Sequence, residues 1–497
     1  MELEFERKQI PCLRTLLRQL QTQEQTQELR VSEGMPDIGR VLGGWGQVIL
    51  RGKEWRGDSI SISGGCLVWV LYVPEDGSQL QQLESWIPFQ MKWNLEEVGR
   101  EGDIWVQPML RFLDARSTSA RKIMVRCGVG AMAQALRQEN GELAVPGELP
   151  GDIQVLKTRY PLQIPRAYGE KPFPLEEELT FPGTAPAPEK LLAYTLEMKI
   201  GEARLMADKL VLRGQGILHV VYLSEAGKLC AWDFELPVSQ LEQLETDFSQ
   251  EARAEVQMAV TSLELELTGE GQLRLKANLL AQYMLSDREM VELVEDAYSP
   301  LRPVQLKMGQ LDVPRILEQR QMAVPVRQTL RSDAAALAEV SFLPDFPEVR
   351  KGEHVRLELP GQFQALYYDE HGSLKSATAR TEEHLELDAG ENAQIQVSLQ
   401  PGSNPTGSLN GGLELRGESQ LQIKTMAREP LPMVTGLQVG EISPKDPARP
   451  SVILRRAGEE ALWSIAKCTG STVTAIREAN ALETEPEFGR ILLIPVS

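Results

Sequence analysis

The chain has 497 residues, enough for about three domains of ordinary size, so several hydrophobic cores are expected rather than one. Its 52 lysines and arginines face 71 aspartates and glutamates, and the formal net charge of −19 argues against nucleic acid or an anionic membrane as a partner. Apolar residues make up 42 % of the chain and recur in strand-like runs, which argues against intrinsic disorder. The longest such runs, for example Cys66–Val73, are too short to cross a bilayer, so we expect no membrane span and a soluble protein.

The N-terminal segment Met1–Cys12 carries charges where a signal peptide would have an uninterrupted apolar region. We therefore expect a cytoplasmic protein. Its five cysteines are widely spread and include no C-x-x-C pair, so the sequence predicts neither a disulfide framework nor a structural zinc site.

One short pattern recurs three times along the chain. It is centred on Tyr72, Tyr222 and Tyr367, and each tyrosine is followed by Glu at +3 and Gly at +5. The offsets are 222 − 72 = 150 and 367 − 222 = 145 residues, each about the size of one domain. The first pair also matches upstream, where residues 29–42 align with 179–192. This self-similarity predicts a domain that is used three times.

The same order of elements is predicted within each repeat. An extended segment ends at Pro36 or Pro186, a short helical piece follows, and apolar residues then alternate through 58–72 and 209–222. Glycine in each Glu-x-Gly tip supplies the turn of a hairpin. The predicted fold class is mainly β, with three antiparallel β-rich repeat domains at residues 1–165, 166–310 and 311–429.

Proline-rich stretches are expected between these units. Two lie at 160–174 and 300–325, and residues 430–450 are predicted to form a semi-rigid linker. The last segment, 451–497, has the pattern of a small βααβ domain, in which Gly470 ends the first helix and Ser471 or Thr472 caps the second.

This last segment resembles a LysM module over its full length. The resemblance is carried by Gly458, 462–466, Val473, Ile476, 479–480, Leu482, Gly489 and 493–495. LysM modules bind N-acetylglucosamine-containing glycans through the loops that follow the first strand and the second helix. The resemblance therefore implies a partner- or glycan-binding site formed by Gly458, Glu459, Glu460, Ala461, Leu462, Asn480, Ala481 and Leu482. The usual Gly-Asp-Thr start is Gly-Glu-Glu in this chain, which removes the hydroxyl that would cap the first helix.

Residues 28–427 resemble the SPOCS domains of spore-coat assembly proteins. The resemblance is carried by Met35–Ile38, 41–42, Val70–Val73 and Trp86–Phe89, while the third repeat lacks the Pro-Asp-Ile element. Three such domains followed by a LysM module resemble the SipL-type spore morphogenetic proteins, whose LysM module docks on the coat ATPase. This resemblance implies a scaffold in the mother-cell cytoplasm at the forespore surface. The alternative is a protein that binds peptidoglycan or cortex glycans through its LysM module.

Catalytic motifs are missing from the sequence. It contains no H-E-x-x-H, no phosphate-binding Gly-rich loop and no G-x-S-x-G elbow, so we expect no enzyme, no cofactor and no metal site. Three histidines, His354, His371 and His384, fall in the third repeat, where a metal site is the alternative. A hydrolase would need a deep polar pocket lined by paired carboxylates.

Two further groups of side chains have alternative interpretations. The acidic residues of the tail form either a solvated face or a dock for basic side chains of a partner; they are Glu459, Glu460, Glu483, Glu485 and Glu487. The three repeat tyrosines and Trp463 are expected to pack in cores rather than to stack against sugar rings.

Overall fold

The structure, a computed structural model, describes residues 1–96, 99, 101–269, 271–351, 354–388, 393–409, 412–444 and 450–496. Strands account for 75 % of the residues and helices for 3 %. The prediction of a mainly β fold is therefore confirmed. Neighbouring strands are antiparallel in every pair that the described residues form.

The first part of the chain folds into two three-stranded sheets. Its strands are β1 (Glu2–Glu4), β2 (Glu6–Arg30), β3 (Ile38–Arg56), β4 (Ser59–Pro74), β5 (Gln81–Asn94), β6 (Asp103–Ser119) and β7 (Lys122–Val145). One sheet has the order β3-β4-β5 and the other β2-β7-β6. Alternate apolar residues of both sheets, such as Val70 and Val125, share one buried core.

The second part has the strands β8 (Gln154–Thr180), β9 (Pro188–Ser224), β10 (Leu229–Phe248), β11 (Arg253–Gly269) and β12 (Gln272–Tyr298). Strand β9 pairs with β10, while β12 lies between β8 and β11. The two halves of β9 lie side by side, because a Cβ added to Gly214 would be 2.4 Å from the backbone oxygen of Lys199. The same contact exists 150 positions earlier, where a Cβ on Gly64 would be 2.2 Å from the oxygen of Ile49.

The third part has the strands β13 (Val304–Leu311), β14 (Ile316–Leu330), β15 (Ala334–Pro344), β16 (Glu348–Lys351), β17 (Val355–Asp369), β18 (Leu374–Leu387), β19 (Ala393–Gln400), β20 (Thr406–Leu409), β21 (Leu413–Ala427) and β22 (Leu431–Val439). Strand β17 pairs with β15, β16 and β18. Strands β14, β21, β19 and β20 extend the sheet of β8, which joins the second and third parts. Strand β22 lies between β1 and β13.

The first two repeat tyrosines are buried and make the same hydrogen bond. The hydroxyl of Tyr72 donates to the backbone oxygen of Pro36 at 3.2 Å, and that of Tyr222 donates to the oxygen of Pro186 at 3.1 Å. Both side chains are fully buried, so neither offers a stacking surface for a sugar ring.

The third tyrosine lacks a proline partner, in agreement with the loss of the Pro-Asp-Ile element. The hydroxyl of Tyr367 lies 3.3 Å from the carboxylate of Asp333 instead. The turn after each tyrosine strand contains a glycine with φ between 72° and 77°, a conformation that glycine adopts without a steric penalty; these are Gly77, Gly227 and Gly372.

The three parts meet in one apolar cluster. It contains Leu71, Val221 and Leu366, each of which directly precedes one of the three repeat tyrosines. All three side chains are fully buried. The tyrosine strands of the three parts therefore share one core.

Several sequence-based boundaries are wrong. The short helical pieces expected after Pro36 and Pro186 are the starts of β3 and β9. The boundaries at 165 and 310 fall inside β8 and β13. The prolines of 160–174 lie within β8, which pairs fully with β12 but shares only one residue pair with β14. A strand that is open on one side tolerates proline, because the missing N–H would not have been paired there.

The predicted linker 430–450 is wrong for its first half. Strand β22 occupies Leu431–Val439 and buries Met433, Val434 and Leu437 in a core with residues from β2 and β12. These apolar side chains outweigh the turn tendency of the flanking prolines. Residues 445–449 of the predicted linker lie outside the described residues.

The C-terminal part has the order β23 (Val452–Arg456), α1 (Leu462–Thr469), α2 (Val473–Asn480) and β24 (Ile491–Pro495). Its two strands pair, and the helices cover one face of the pair around Leu462, Ile465 and Ile476. Gly470 ends α1 with φ 66°, and the Thr472 hydroxyl accepts a hydrogen bond from Ala475 N–H. Neither helix in this described segment is long and apolar enough to cross a membrane.

Candidate functional site

The first predicted binding loop lies between β23 and α1. Glu459, Glu460 and Ala461 are exposed, Gly458 is half-buried and Leu462 is fully buried in the core of the tail. Leu462 therefore contributes to the fold rather than to a binding surface. The exposed part of this loop is limited to three consecutive residues.

The N-terminus of α1 has an unexpected cap. Ala461 occupies the capping position and has no side-chain acceptor, as the sequence implied. The carboxylate of Glu485, from the loop before β24, accepts a hydrogen bond from Leu462 N–H at 2.8 Å. A carboxylate at this place satisfies an otherwise unpaired N–H group and interacts favourably with the positive end of the helix dipole. Glu485 thus replaces the missing hydroxyl and ties the two loops together.

Residues of the second predicted binding loop also make contacts within the tail. The amide of Asn480 donates to the backbone oxygens of Ile476 and Leu493 and accepts from Leu493 N–H at 2.8 Å. Ala481 has φ 48° and ends α2, and Leu482 packs against the apolar core of the tail. The Asn480 side chain therefore ties the end of α2 to β24.

Part of the acidic character of the tail is balanced internally. Glu460 forms a 2.7 Å ion pair with Arg455, whose guanidinium also donates to the sulfur of Cys468. Glu485 lies 3.8 Å from Arg477. Glu459, Glu483 and Glu487 are exposed and remain available to a basic partner.

A contact between the tail and β12 was missed by the sequence analysis. The indole N–H of Trp463 donates to the carboxylate of Asp296 at 2.8 Å, and Lys467 Nζ lies 2.7 Å from the same carboxylate. The rings of Trp463 and Tyr298 meet edge to face at 4.8 Å, and the Tyr298 hydroxyl donates to the Ser471 backbone oxygen. Burial and the charge of Asp296 raise the pKa of Tyr298 to about 12.

This contact gives Trp463 a second role, because its ring also packs against the apolar core of the tail, as predicted. Its ring is only partly buried, and it connects the tail to the end of β12. The tail is thus held on the body of the protein by an aromatic pair and a shared carboxylate. No local pattern could have identified Asp296 as its partner, since the two residues are 167 positions apart.

The outer face of the β23–β24 pair is exposed and carries four apolar side chains beside Arg456. Leu454 is 71 % exposed, Ile491 is 64 % exposed, and Leu454 lies directly opposite Leu493 in the strand pair. Val452 belongs to the same face and is also exposed. We call Val452, Leu454, Ile491 and Leu493 the outer tail face. Contiguous exposed apolar side chains of this kind are typical of protein–protein contact sites.

The third part of the chain brings one of its histidines to two carboxylates. Ligand atoms of Glu358, Glu382 and His384 lie within 4.8 Å of one another. Arg350 already forms a 2.6 Å ion pair with Glu358, and the other two residues are exposed. His354 and His371 do not belong to this group within the described residues. His384 lies directly opposite Glu358 in the β17–β18 pair.

In comparisons with known proteins, no protein-family model, no curated protein and no solved structure matches this chain.

Proposed function

We propose that this chain is a non-enzymatic scaffold of bacterial spore-coat assembly, built from three SPOCS-like repeats and a C-terminal LysM module. The matching hydrogen bonds of Tyr72 and Tyr222 support the repeats, as does the matching close contact at Gly64 and Gly214. The strand-helix-helix-strand order of the tail supports the LysM module. In this proposal the protein works in the mother-cell cytoplasm, at the forespore surface.

The observation that carries the proposal is the outer tail face. Four apolar side chains stay exposed there although the opposite side of the tail is covered by its helices and contacts β12. Meanwhile, the side chains of Asn480 and Glu485 in the loops expected to hold a glycan are bound to backbone groups of the tail. An exposed apolar face with internally satisfied loops favours a protein partner, and we propose a coat morphogenetic protein, the coat ATPase, for that role.

A binding experiment with the full-length chain tests this proposal. The chain is titrated against the purified coat ATPase of an endospore-forming clostridium, and the double variant Leu454→Glu/Leu493→Glu is compared with the unchanged chain. Each buried leucine contributes about 2 kcal/mol, so loss of both contributions should weaken binding about 1,000-fold or abolish it. Leu241→Glu is the matched control, because Leu241 is 55 % exposed on β10, away from the tail.

Equal binding by both variants would refute docking through the outer tail face. In sporulating cells, a fluorescent fusion of the unchanged chain should collect at the forespore, and the double variant should remain dispersed.

One observation favours the glycan-binding alternative. Phe488 is 78 % exposed in the loop before β24, where an aromatic ring could stack on a sugar. Under this alternative the full chain would be retained on purified sacculi, and Phe488→Ala would abolish the retention. Retention on sacculi without binding to the coat ATPase would replace the scaffold proposal.

A further inference from the structure

A cavity of about 840 Å³ lies where the three parts of the chain meet. Its wall includes residues 44–48 of β3, 195–198 of β9 and 337–344 of β15. The glycine- and proline-rich loop 401–407 forms another side. This volume is within the usual range for sites that bind small molecules.

The cavity is acidic. Four carboxylates line it, and the described lining residues include one imidazole, that of His219, but no lysine or arginine. The carboxylates belong to Glu197, Asp233, Glu339 and Glu418. Carboxylates gathered in one cavity repel one another unless positive charge balances them.

His219 balances only part of this charge. Its Nδ1 atom lies 2.6 Å from an oxygen of Asp233, and its Nε2 atom lies 3.5 Å from an oxygen of Glu339. The other oxygen of Asp233 accepts a hydrogen bond from the Asn404 amide at 2.6 Å. Asp233 is therefore fully engaged. Because the imidazole stands between Asp233 and Glu339, these two carboxylates do not form a bare acid–base pair of the kind a hydrolase would need.

Glu339 has an oxygen without a partner. Its side chain is fully buried, and one oxygen faces the Trp45 indole N–H at 3.5 Å. The second oxygen has no hydrogen-bond donor among the described residues, although its residue lines the cavity. Glu197 also lines the cavity, and its side chain is exposed. A buried acceptor without a partner is unfavourable, and a donor from a ligand would satisfy it.

We propose that this cavity binds a small organic cation of the polyamine class, with the unpartnered oxygen of Glu339 accepting from an ammonium group. Three methionines also line the cavity, and Met109, Met198 and Met258 would contact the methylene chain of such a ligand. The ligand supplies the positive charge that lysine and arginine do not supply. This inference does not depend on the spore-coat proposal, because it involves no residue of the tail.

Calorimetric titration of the full chain with spermidine tests the proposal. We expect saturable one-site binding and no binding of octanediol, which has a chain of similar length without charge. Glu339→Gln keeps the shape and removes the charge, so it should weaken spermidine binding by about tenfold or more. Glu197→Gln should weaken it as well and provides a second variant if the first is misfolded. Glu225→Gln is the control, since Glu225 is an exposed turn residue with the same charge.

The controls separate specific binding from general attraction to an acidic protein. Weakening that is equal in Glu225→Gln and the cavity variants would mean diffuse surface attraction and would overturn the proposal. Absence of spermidine binding by the unchanged chain would also overturn it, as would unchanged affinity in both cavity variants.

Discussion

His219 should make the stability of the chain depend on pH in the neutral to alkaline range. Burial opposes a charge on its imidazole, but the hydrogen bond to Asp233 and the neighbouring Glu339 outweigh this and raise the pKa from 6.5 to about 10. A group whose pKa is raised on folding stabilises the folded state fully below its unfolded pKa. That stabilisation is lost as the pH rises through the folded pKa.

The expected size of the effect follows from the two pKa values. Between pH 6 and pH 9 the protonated imidazole should lose about 2 to 3 kcal/mol of its contribution to the free energy of unfolding, allowing for its partial exposure. Burial raises the pKa of Tyr222 on the same strand to about 12, so this tyrosine does not titrate below pH 9.

Urea denaturation at pH 6, 7.5 and 9, followed by tryptophan fluorescence, measures this effect. The unchanged chain is compared with His219→Gln, which can still donate a hydrogen bond to Asp233 but carries no charge. The difference in unfolding free energy between the two proteins should shrink by about 2 to 3 kcal/mol from pH 6 to pH 9. Parallel pH profiles for the two proteins would refute this prediction, because they would show that the imidazole is not held protonated by its neighbours.

Two other predictions concern packing contacts. Gly214→Ala should destabilise the chain by about 1 to 3 kcal/mol in urea denaturation, because its Cβ would meet the backbone oxygen of Lys199 at 2.4 Å. Gly201→Ala is the control and should have little effect, since its nearest contact would be 3.9 Å. Asp296→Ala should weaken the contact between the tail and β12 by about 2 kcal/mol, because it removes the acceptor of Trp463 and Lys467. Hydrogen exchange of residues 462–480 should then become faster. Unchanged exchange would contradict this role of Asp296.

The strands were predictable where a local pattern determines them. Alternating apolar residues before Tyr72 and Tyr222, and a glycine five positions after each, indicated hairpins that the structure contains. The same rules missed β22 because prolines flank its short apolar run, and only the core that it shares with distant strands makes it a strand.

The candidate sites were less predictable, because they depend on tertiary contacts. Glu485 caps a helix that begins 23 positions before it, and the sequence gives no sign of this pairing. His219 lies within an ordinary alternating strand, while Asp233 and Glu339 come from two other strands. Charged residues that converge from separate strands are visible only once the chain is folded.

The pairing of β1 with β22 constrains how the protein can be made. Residues Glu2–Glu4 align with Gly436–Gln438, so this sheet joins segments more than 400 positions apart. During synthesis, β1 cannot pair with β22 until almost the entire body of the protein has left the ribosome. Until then Phe5 and Ile10, which end up buried in the shared core, are open to chaperones and to aggregation. Pairing of β1 with β22 is thus a late and slow step in the folding of each newly made chain.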